Sequence, residues 1–367
     1  MKRTKTLTAL ALVAASALVL AGCSTRGGES TEPGGNASEA FPADALIGVA
    51  LPAKTSENWV LAGDLFTDGL REAGFTPDVQ YAGASSTVAD QQAQIQSMIV
   101  KGAKVIIIGP TDGKQLGTQV RNAHEAGAVV IAYDRLILNT DDLDYYVAYD
   151  NVNVGQLQAQ SILAGMAAAK PEGPYNIEIF SGASDDANSK DFFDGAMSVL
   201  QPEIDAGRVV VPSGQTDIKQ TAIAGWKPEN AQNRMDSLLA AHYTSAELDG
   251  VLSPNDTLAR AIIASAQSAG KGIPVVSGQD SEAESVKSIM AGEQYSTINK
   301  DTRNLVKQAI DMVSELQRGE KASTNNDTDY DNGTRVVPAY ILPPLIVTKE
   351  NAVEAYATDE KLAPLTK

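Results

Sequence analysis

Apolar positions along this chain come in short unbroken clusters, separated by longer stretches in which they recur at helical spacing. Leu46–Leu51, Val79–Ala82, Val105–Gly109, Val129–Tyr133 and Tyr145–Tyr149 read as strands, and segments between them such as Val60–Ala73 and Gln91–Lys101 read as amphipathic helices. That alternation is the βαβ rhythm of a parallel sheet. Val105-Ile106-Ile107-Ile108 and Val129-Val130-Ile131-Ala132 are apolar at every position, as central strands covered by helices on both faces must be. A second series follows: helix Val154–Ala169, strand Asn176–Phe180, helix Phe193–Leu200, strand Val209–Val211, helix Ala231–Ala241, strand Gly250–Ser253 and helix Leu258–Ala269. Strands Val275–Ser277 and Ser296–Ile298 bracket helix Ala283–Ala291. Helix Leu305–Gln317 then leads through an Asn/Asp-rich loop to the apolar run Val336–Val347. This is more chain than one core usually accommodates, so two α/β lobes are expected.

The N-terminus breaks the pattern. A basic start (Lys2, Arg3, Lys5), an apolar run from Leu7 to Leu20 and then Leu20-Ala21-Gly22-Cys23 make residues 1–22 a signal peptide. The run is shorter than the roughly 20 residues a spanning helix needs, and small residues precede the cysteine as lipoprotein processing requires. Cys23 becomes the acylated first residue, and as the only cysteine it has no internal disulfide partner. Residues 23–44 are expected to be a flexible linker, Ser24–Ala40 having almost nothing apolar to bury. The expectation is thus an extracytoplasmic protein held to the cell membrane by lipid. The net charge of −17 becomes −20 once the three basic leader residues are lost, a surface that repels nucleic acid and anionic lipid.

Ligands of open α/β sheets bind beyond the carboxyl ends of the strands, so the polar residues that follow each strand are the candidates. Asp134-Arg135 follows Val129–Tyr133, Asp186 and Asn188 follow Asn176–Phe180, Asn255 follows Gly250–Ser253, Asp280 follows Val275–Ser277 and Lys300 follows Ser296–Ile298. An ionised carboxylate accepts from two adjacent sugar hydroxyls while Arg, Lys or Asn donates back, and a flat aromatic covers the apolar C–H face. The only tryptophans, Trp59 and Trp226, each fall in an expected loop. Each feature has a plain structural counterpart: a surface ion pair, a turn-forming Asn, a core Trp. The chain has no G-x-S-x-G elbow, P-loop or Cys-His pairing, and nothing joins Asp185, Asp186, Asp280, Glu282 or Glu284 to a nucleophile as glycoside hydrolysis requires. A signal peptide stands where a sugar-sensing repressor needs a basic helix-turn-helix. Asp327, Asp329 and Asp331 alternate like a calcium loop, but glycine comes at the seventh position and no Glu at the twelfth, so neither a metal nor a cofactor is expected.

Ala132-Tyr133-Asp134-Arg135-Leu136-Ile137, Asp194-Gly195-Ala196-Met197, Val276-Ser277-Gly278-Gln279-Asp280 and Ala291-Gly292-Glu293-Gln294-Tyr295-Ser296-Thr297 occur in fixed order. With them, the segment from about Leu46 to Lys349 resembles the periplasmic-binding-protein family of sugar ABC transporters, in particular its xylose-binding and multiple-monosaccharide-binding (ChvE-like) branch. The resemblance implies a type I periplasmic-binding-protein fold: two Rossmann-like lobes, 45–149 with 300–336 and 150–299 with 337–362, joined by three crossings and closing on a sugar. It implies that Asp134 and Arg135 clamp hydroxyls from the first lobe, that Asp186 and Asn188 do so from the second, and that Trp226 stacks. Asn255, Asp280 and Lys300 match further contacts, whereas Asp256 reads as structural. Relatives often carry Arg immediately before Trp; here Asn58 precedes Trp59, and Lys54 is the candidate for the missing charge. The implied protein is a monomeric, non-enzymatic receptor that delivers a monosaccharide (xylose, glucose or a similar aldose) to ABC permease subunits. The alternative is a sensor presenting the loaded receptor to a chemoreceptor or histidine kinase.

Overall fold

The computed structural model describes residues 40–54, 56–83 and 87–367. The leader, Cys23 and the linker up to residue 39 lie outside the described residues. Folded structure begins earlier than the expected linker end at 44: Phe41 is buried, its ring lies 6.4 Å from that of Phe75, and its N–H donates to the Gln317 carbonyl at 3.3 Å.

The chain runs β1 (Leu46–Leu51), α1 (Glu57–Glu72), β2 (Thr76–Tyr81), α2 (Val88–Val100), β3 (Val105–Ile108), α3 (Gly117–Glu125), β4 (Val129–Tyr133) and β5 (Tyr145–Tyr149). It continues through α4 (Asn151–Ala169), β6 (Tyr175–Ile179), α5 (Asn188–Asp205), β7 (Val209–Val210), α6 (Ile218–Thr221), α7 (Pro228–His242), β8 (Gly250–Leu252), α8 (Asp256–Ser268), β9 (Val275–Val276), α9 (Ala283–Ala291) and β10 (Ser296–Asn299). The last elements are α10 (Thr302–Gln317), β11 (Ala339–Leu342), β12 (Leu345–Thr348) and α11 (Ala352–Ala355).

The first lobe is a parallel sheet in the order β11-β5-β4-β3-β1-β2. Its central strands are apolar on both faces because both are covered. Val105 and Ile107 point into one core with Phe66, Leu70 and Met312 of α1 and α10, while Ile106 and Ile108 point into the other with Ile95, Met98 and Val120 of α2 and α3. At the edge, β2 begins at Thr76, before the apolar residues that mark it in the sequence, and tolerates Pro77 because an edge strand has no outer neighbour to bond. The second lobe has the parallel order β7-β6-β8-β9, and β10 continues it through Ile298 N–H to Gly278 O at 3.1 Å and Asp280 N–H to Ile298 O at 2.9 Å.

The apolar run Val336–Val347 is not one unit, and here the expected lobe boundary moves. Pro343-Pro344 divides it: β11 pairs in parallel with β5 of the first lobe, and β12 pairs antiparallel with β10 of the second. Residues 339–342 therefore belong to the first sheet and Val337 packs in that lobe's core, so this stretch is not part of the second lobe. The chain passes between lobes at Asp150, at Lys300-Asp301 and at Pro343-Pro344. These crossings are tied together, Asp150 N–H donating to Leu342 O and Tyr149 Oη to Asp301 O, each at 3.0 Å.

Helices α4 and α5 cross at two glycines. A Cβ on Gly195 would stand 2.1 Å from the Val152 carbonyl oxygen, and one on Gly155 would stand 1.9 Å from that of Phe192. This backbone-to-backbone approach gives Gly195 a physical reason. Gly195→Ala is expected to force the helices apart and cost about 1–3 kcal/mol, read as a lower urea midpoint at unchanged m-value; an unchanged midpoint would contradict the close crossing.

Candidate functional site

The carboxyl ends of both sheets face one cavity of about 560 Å³. Its walls include Asn58, Trp59, Asp134, Arg135, Asp186 and Asn188, and also Trp226, Asn255, Asp280 and Lys300. Ten of the eleven candidate binding residues thus meet in one place. The exception is Lys54, which is exposed and lies with its ammonium 4.4 Å from the Tyr81 ring centre, outside the described cavity wall.

The charges are arranged in pairs. Arg135 Nε lies 3.0 Å from Asp186 Oδ2, joining the first lobe to the second with both side chains largely buried. The N–H axis is off line, so the contact is Coulombic and the Nε donor has no hydrogen-bond partner among the described residues. Lys300 Nζ lies 3.2 Å from Asp280 Oδ1. Burial raises the Asp134 carboxyl above its ordinary range, opposed by Lys300 and Arg135 and reinforced by Asp186 and Asp280. Burial would lower Lys300, but Asp280 and Asp134 outweigh it and hold the ammonium above its ordinary value. Asn188 Nδ2 donates to the Asp134 carbonyl at 2.9 Å, and Asn58 Nδ2 to that of Asp280 at 3.3 Å; each bond runs from one lobe to the other.

Three of these residues have left-handed backbones: Asp134 (φ 63°), Trp226 (φ 56°) and Asp280 (φ 95°). Non-glycine residues enter that region at a cost, so the surroundings must impose it. At Asp134 the backbone N–H donates to Val147 O and the carbonyl accepts from Tyr146 Oη, both at 2.9 Å. Behind Asp280 sits buried Asp256, whose carboxylate accepts from Glu282 N, Thr297 Oγ1 and Gln294 Nε2 at 3.0, 2.9 and 2.8 Å. Thr297 Oγ1 in turn accepts from Ser281 N at 3.2 Å, and Tyr356 Oη donates to Ser281 Oγ at 2.7 Å. Asp256 thus holds the turn that presents Asp280.

The aromatics differ from their expected setting. Trp59 is in the first turn of α1, not in a loop; its ring packs edge-on to Tyr133 at 6.2 Å and carries the Arg135 guanidinium 5.3 Å from its centre. Trp226 ends a short 3-10 turn, donates from Nε1 to Asp186 Oδ2 at 3.1 Å and packs over Gly182, where a Cβ would stand 2.2 Å from the ring. Asn255 serves two purposes: Oδ1 caps α8 by accepting from Leu258 N at 2.9 Å, and the residue also lines the cavity. Phe192 was not anticipated. It lies one turn beyond Asn188 on the same face of α5, with Lys300 Nζ 5.4 Å from its ring centre, and helical spacing from Asn188 was the available signal. In the Asp327–Gly333 turn, Asp329 accepts from Asn326 and Thr328, and buried Asn332 donates to Thr140 O at 2.7 Å, pinning the turn to the first lobe.

Residues 47–321 match the periplasmic binding protein domain. The chain belongs to the periplasmic binding protein family. This periplasmic binding protein is 46% identical over 318 residues to the multiple sugar-binding periplasmic receptor ChvE of Rhizobium radiobacter, covering 85% of this chain and 89% of that receptor. It is 35% identical over 323 residues to the D-xylose-binding periplasmic protein of Haemophilus influenzae, covering 88% and 92% of the two chains. An ABC transporter solute binding protein from Clostridium phytofermentans, solved with bound β-D-glucose, superimposes with a TM-score of 0.83 at 38% identity, covering 88% of this chain and 100% of that one. The family is one of binding proteins, and the two-lobed α/β fold described above is its fold.

Asp191, on the first turn of α5, shows the cost of burying an acid near this cleft. Burial pushes its carboxyl up to about 6; Lys190 opposes this, and Asp194, Asp186 and Asp150 add to it. Since the folded value lies above the unfolded one, near 3.9, the folded state holds the proton more tightly and stability falls as pH rises through that window. Asp191→Asn is therefore expected to raise the melting temperature at pH values above 6 and to lose that advantage below about 4. An equal shift at both ends, or none at high pH, would contradict it.

Proposed function

We propose that this protein is an extracytoplasmic lipoprotein that encloses an aldose such as glucose or xylose between its lobes and passes it to an ABC transporter. The observation that carries the reading is the ring of paired charges facing the cavity: Arg135 with Asp186, Lys300 with Asp280, and Asp134 between the two cations. Each ionised group retains capacity for bonds that a sugar's adjacent hydroxyls, both donors and acceptors, would complete. Trp59 and Trp226 add flat apolar surface for C–H faces. The sugars named for the relatives, glucose and xylose, support the choice of a monosaccharide. Asn58 stands where relatives often carry Arg, and its bond to Asp280 O would keep that wall closed without a further charge.

The lipid anchor rests on the tripartite leader and Cys23. Tethering by residues 24–40 would raise the local concentration of loaded receptor at the membrane, within the reach of that segment. Full-length protein is expected in the membrane fraction, with Cys23→Ala released from it; equal partition of the two forms would remove the anchor.

A soluble form starting near Glu39 should give heat on titration with at least one of glucose, xylose, galactose and arabinose, with a Kd of about micromolar. Asp134→Ala should weaken that binding by about 2–5 kcal/mol, because Arg135 and Lys300 lose a buried counter-charge. No heat from any of the four would contradict the sugar reading, and unchanged affinity would remove Asp134 from the site.

A further inference from the structure

We propose that Tyr330 is a positioning residue for the sugar site: its ring braces Tyr146, and Tyr146 holds the strained turn that presents Asp134. The proposal rests on the monosaccharide reading above. The Asn/Asp-rich turn of residues 326–336 lies between α10 and β11, outside the described cavity wall. Its contacts nevertheless converge on the chain that follows Asp134 and Arg135. Asn332 O accepts from Asn139 N, and Asn332 Nδ2 donates to Thr140 O, both at 2.7 Å. Arg335 Nη1 donates to Asp141 O at 3.3 Å. The turn itself is closed by Asn332 Oδ1, which accepts from Thr334 N and Arg335 N, each at 3.1 Å. An amide side chain is needed here because it must accept at one end and donate at the other.

Tyr330 is the residue of this turn that reaches toward the site. Its carbonyl accepts from Val337 N at 3.0 Å, and its ring packs on the first-lobe core. There it meets the ring of Tyr146 edge to face, with centroids 5.3 Å apart and planes at 62°. Tyr146 is buried and fixed at two further points: its N–H donates to Pro338 O at 3.0 Å and its Oη to Asp134 O at 2.9 Å. The same segment therefore holds Tyr146 by backbone and by ring, and leaves the hydroxyl one direction in which to point. The Asp134 carbonyl that receives it also accepts from Asn188 Nδ2 of the second lobe at 2.9 Å. At φ 63°, Asp134 depends on such bonds to stay in a conformation that non-glycine residues avoid. Without the ring at position 330, Tyr146 would have room to tilt, its hydroxyl would leave the line to Asp134 O, and the Asp134 carboxylate would be presented less sharply. A binding group keeps its geometry only when the residues behind it are themselves locked by packing.

The test is calorimetry with glucose, xylose, galactose and arabinose, alongside melting temperatures, on the soluble protein and its Tyr330→Ala, Tyr330→Phe and Tyr146→Phe variants and the Tyr330→Ala/Tyr146→Phe double variant. Tyr330→Ala is expected to bind the preferred sugar about three- to tenfold more weakly, while Tyr330→Phe, which keeps the ring, binds as the wild type does. Tyr330→Leu, which keeps apolar bulk without a flat ring, takes the place of the alanine variant if that one is too unstable to titrate, and should weaken binding in the same direction. Tyr146→Phe alone should cost a similar factor, and adding Tyr330→Ala to it should cost less than about twofold more, because the hydroxyl through which the ring acts is already gone. A lower melting temperature with unchanged affinity would show that Tyr330 only fills space and would overturn the proposal. Losses that multiply in full in the double variant would overturn it as well. If the wild type gives no heat with any of the four sugars, the monosaccharide reading itself falls and takes this proposal with it.

Discussion

Burying ionised groups between two lobes is costly unless each has a partner, and the cleft of this protein is organised around that requirement. Arg135 from the first lobe is placed against Asp186 from the second, and Lys300, on a crossing between lobes, against Asp280. The Arg135–Asp186 pairing requires the lobes to be together, because an open cleft would return both side chains to water. That pair therefore favours the arrangement in which the two lobes meet. The same demand explains the strained backbones: Asp134 and Asp280 point into the cavity only because left-handed turns, held by Val147, Tyr146 and the buried Asp256 network, aim them there.

The crossings between the lobes keep the two sheets in register. The three crossings are short and bonded to one another through Asp150 with Leu342 and Tyr149 with Asp301, so they form one connected unit rather than separate linkers. Rigid elements on either side, including the glycine crossing of α4 and α5, carry Asn188 and Phe192 to the cleft as part of one body.

Much of this was legible in the sequence, because physics writes it there. Strands such as Val105–Ile108, apolar on both faces, announce a covered parallel sheet, and the polar residues at strand ends converge on one cavity, which is why Asp134, Asp186, Asn255, Asp280 and Lys300 could be picked as candidates one strand at a time. What stayed hidden depends on partners distant in the chain. The run Val336–Val347 is equally apolar on either side of Pro343-Pro344, and only pairing with β5 and β10 assigns its halves to different lobes. Trp59 read as a loop residue because the polar first turn of α1 lacks apolar periodicity, and Lys54 read as a contact although its charge lies on Tyr81.

The central claim, that Arg135 and Asp186 act as one interlobe unit, is most directly tested by a double-mutant cycle on sugar affinity with Arg135→Gln and Asp186→Asn. A coupling energy of at least about 1.5 kcal/mol is expected, the double variant binding far better than the sum of the single losses implies. Losses that add to within about 0.5 kcal/mol would show that the two residues act independently, and would contradict the account.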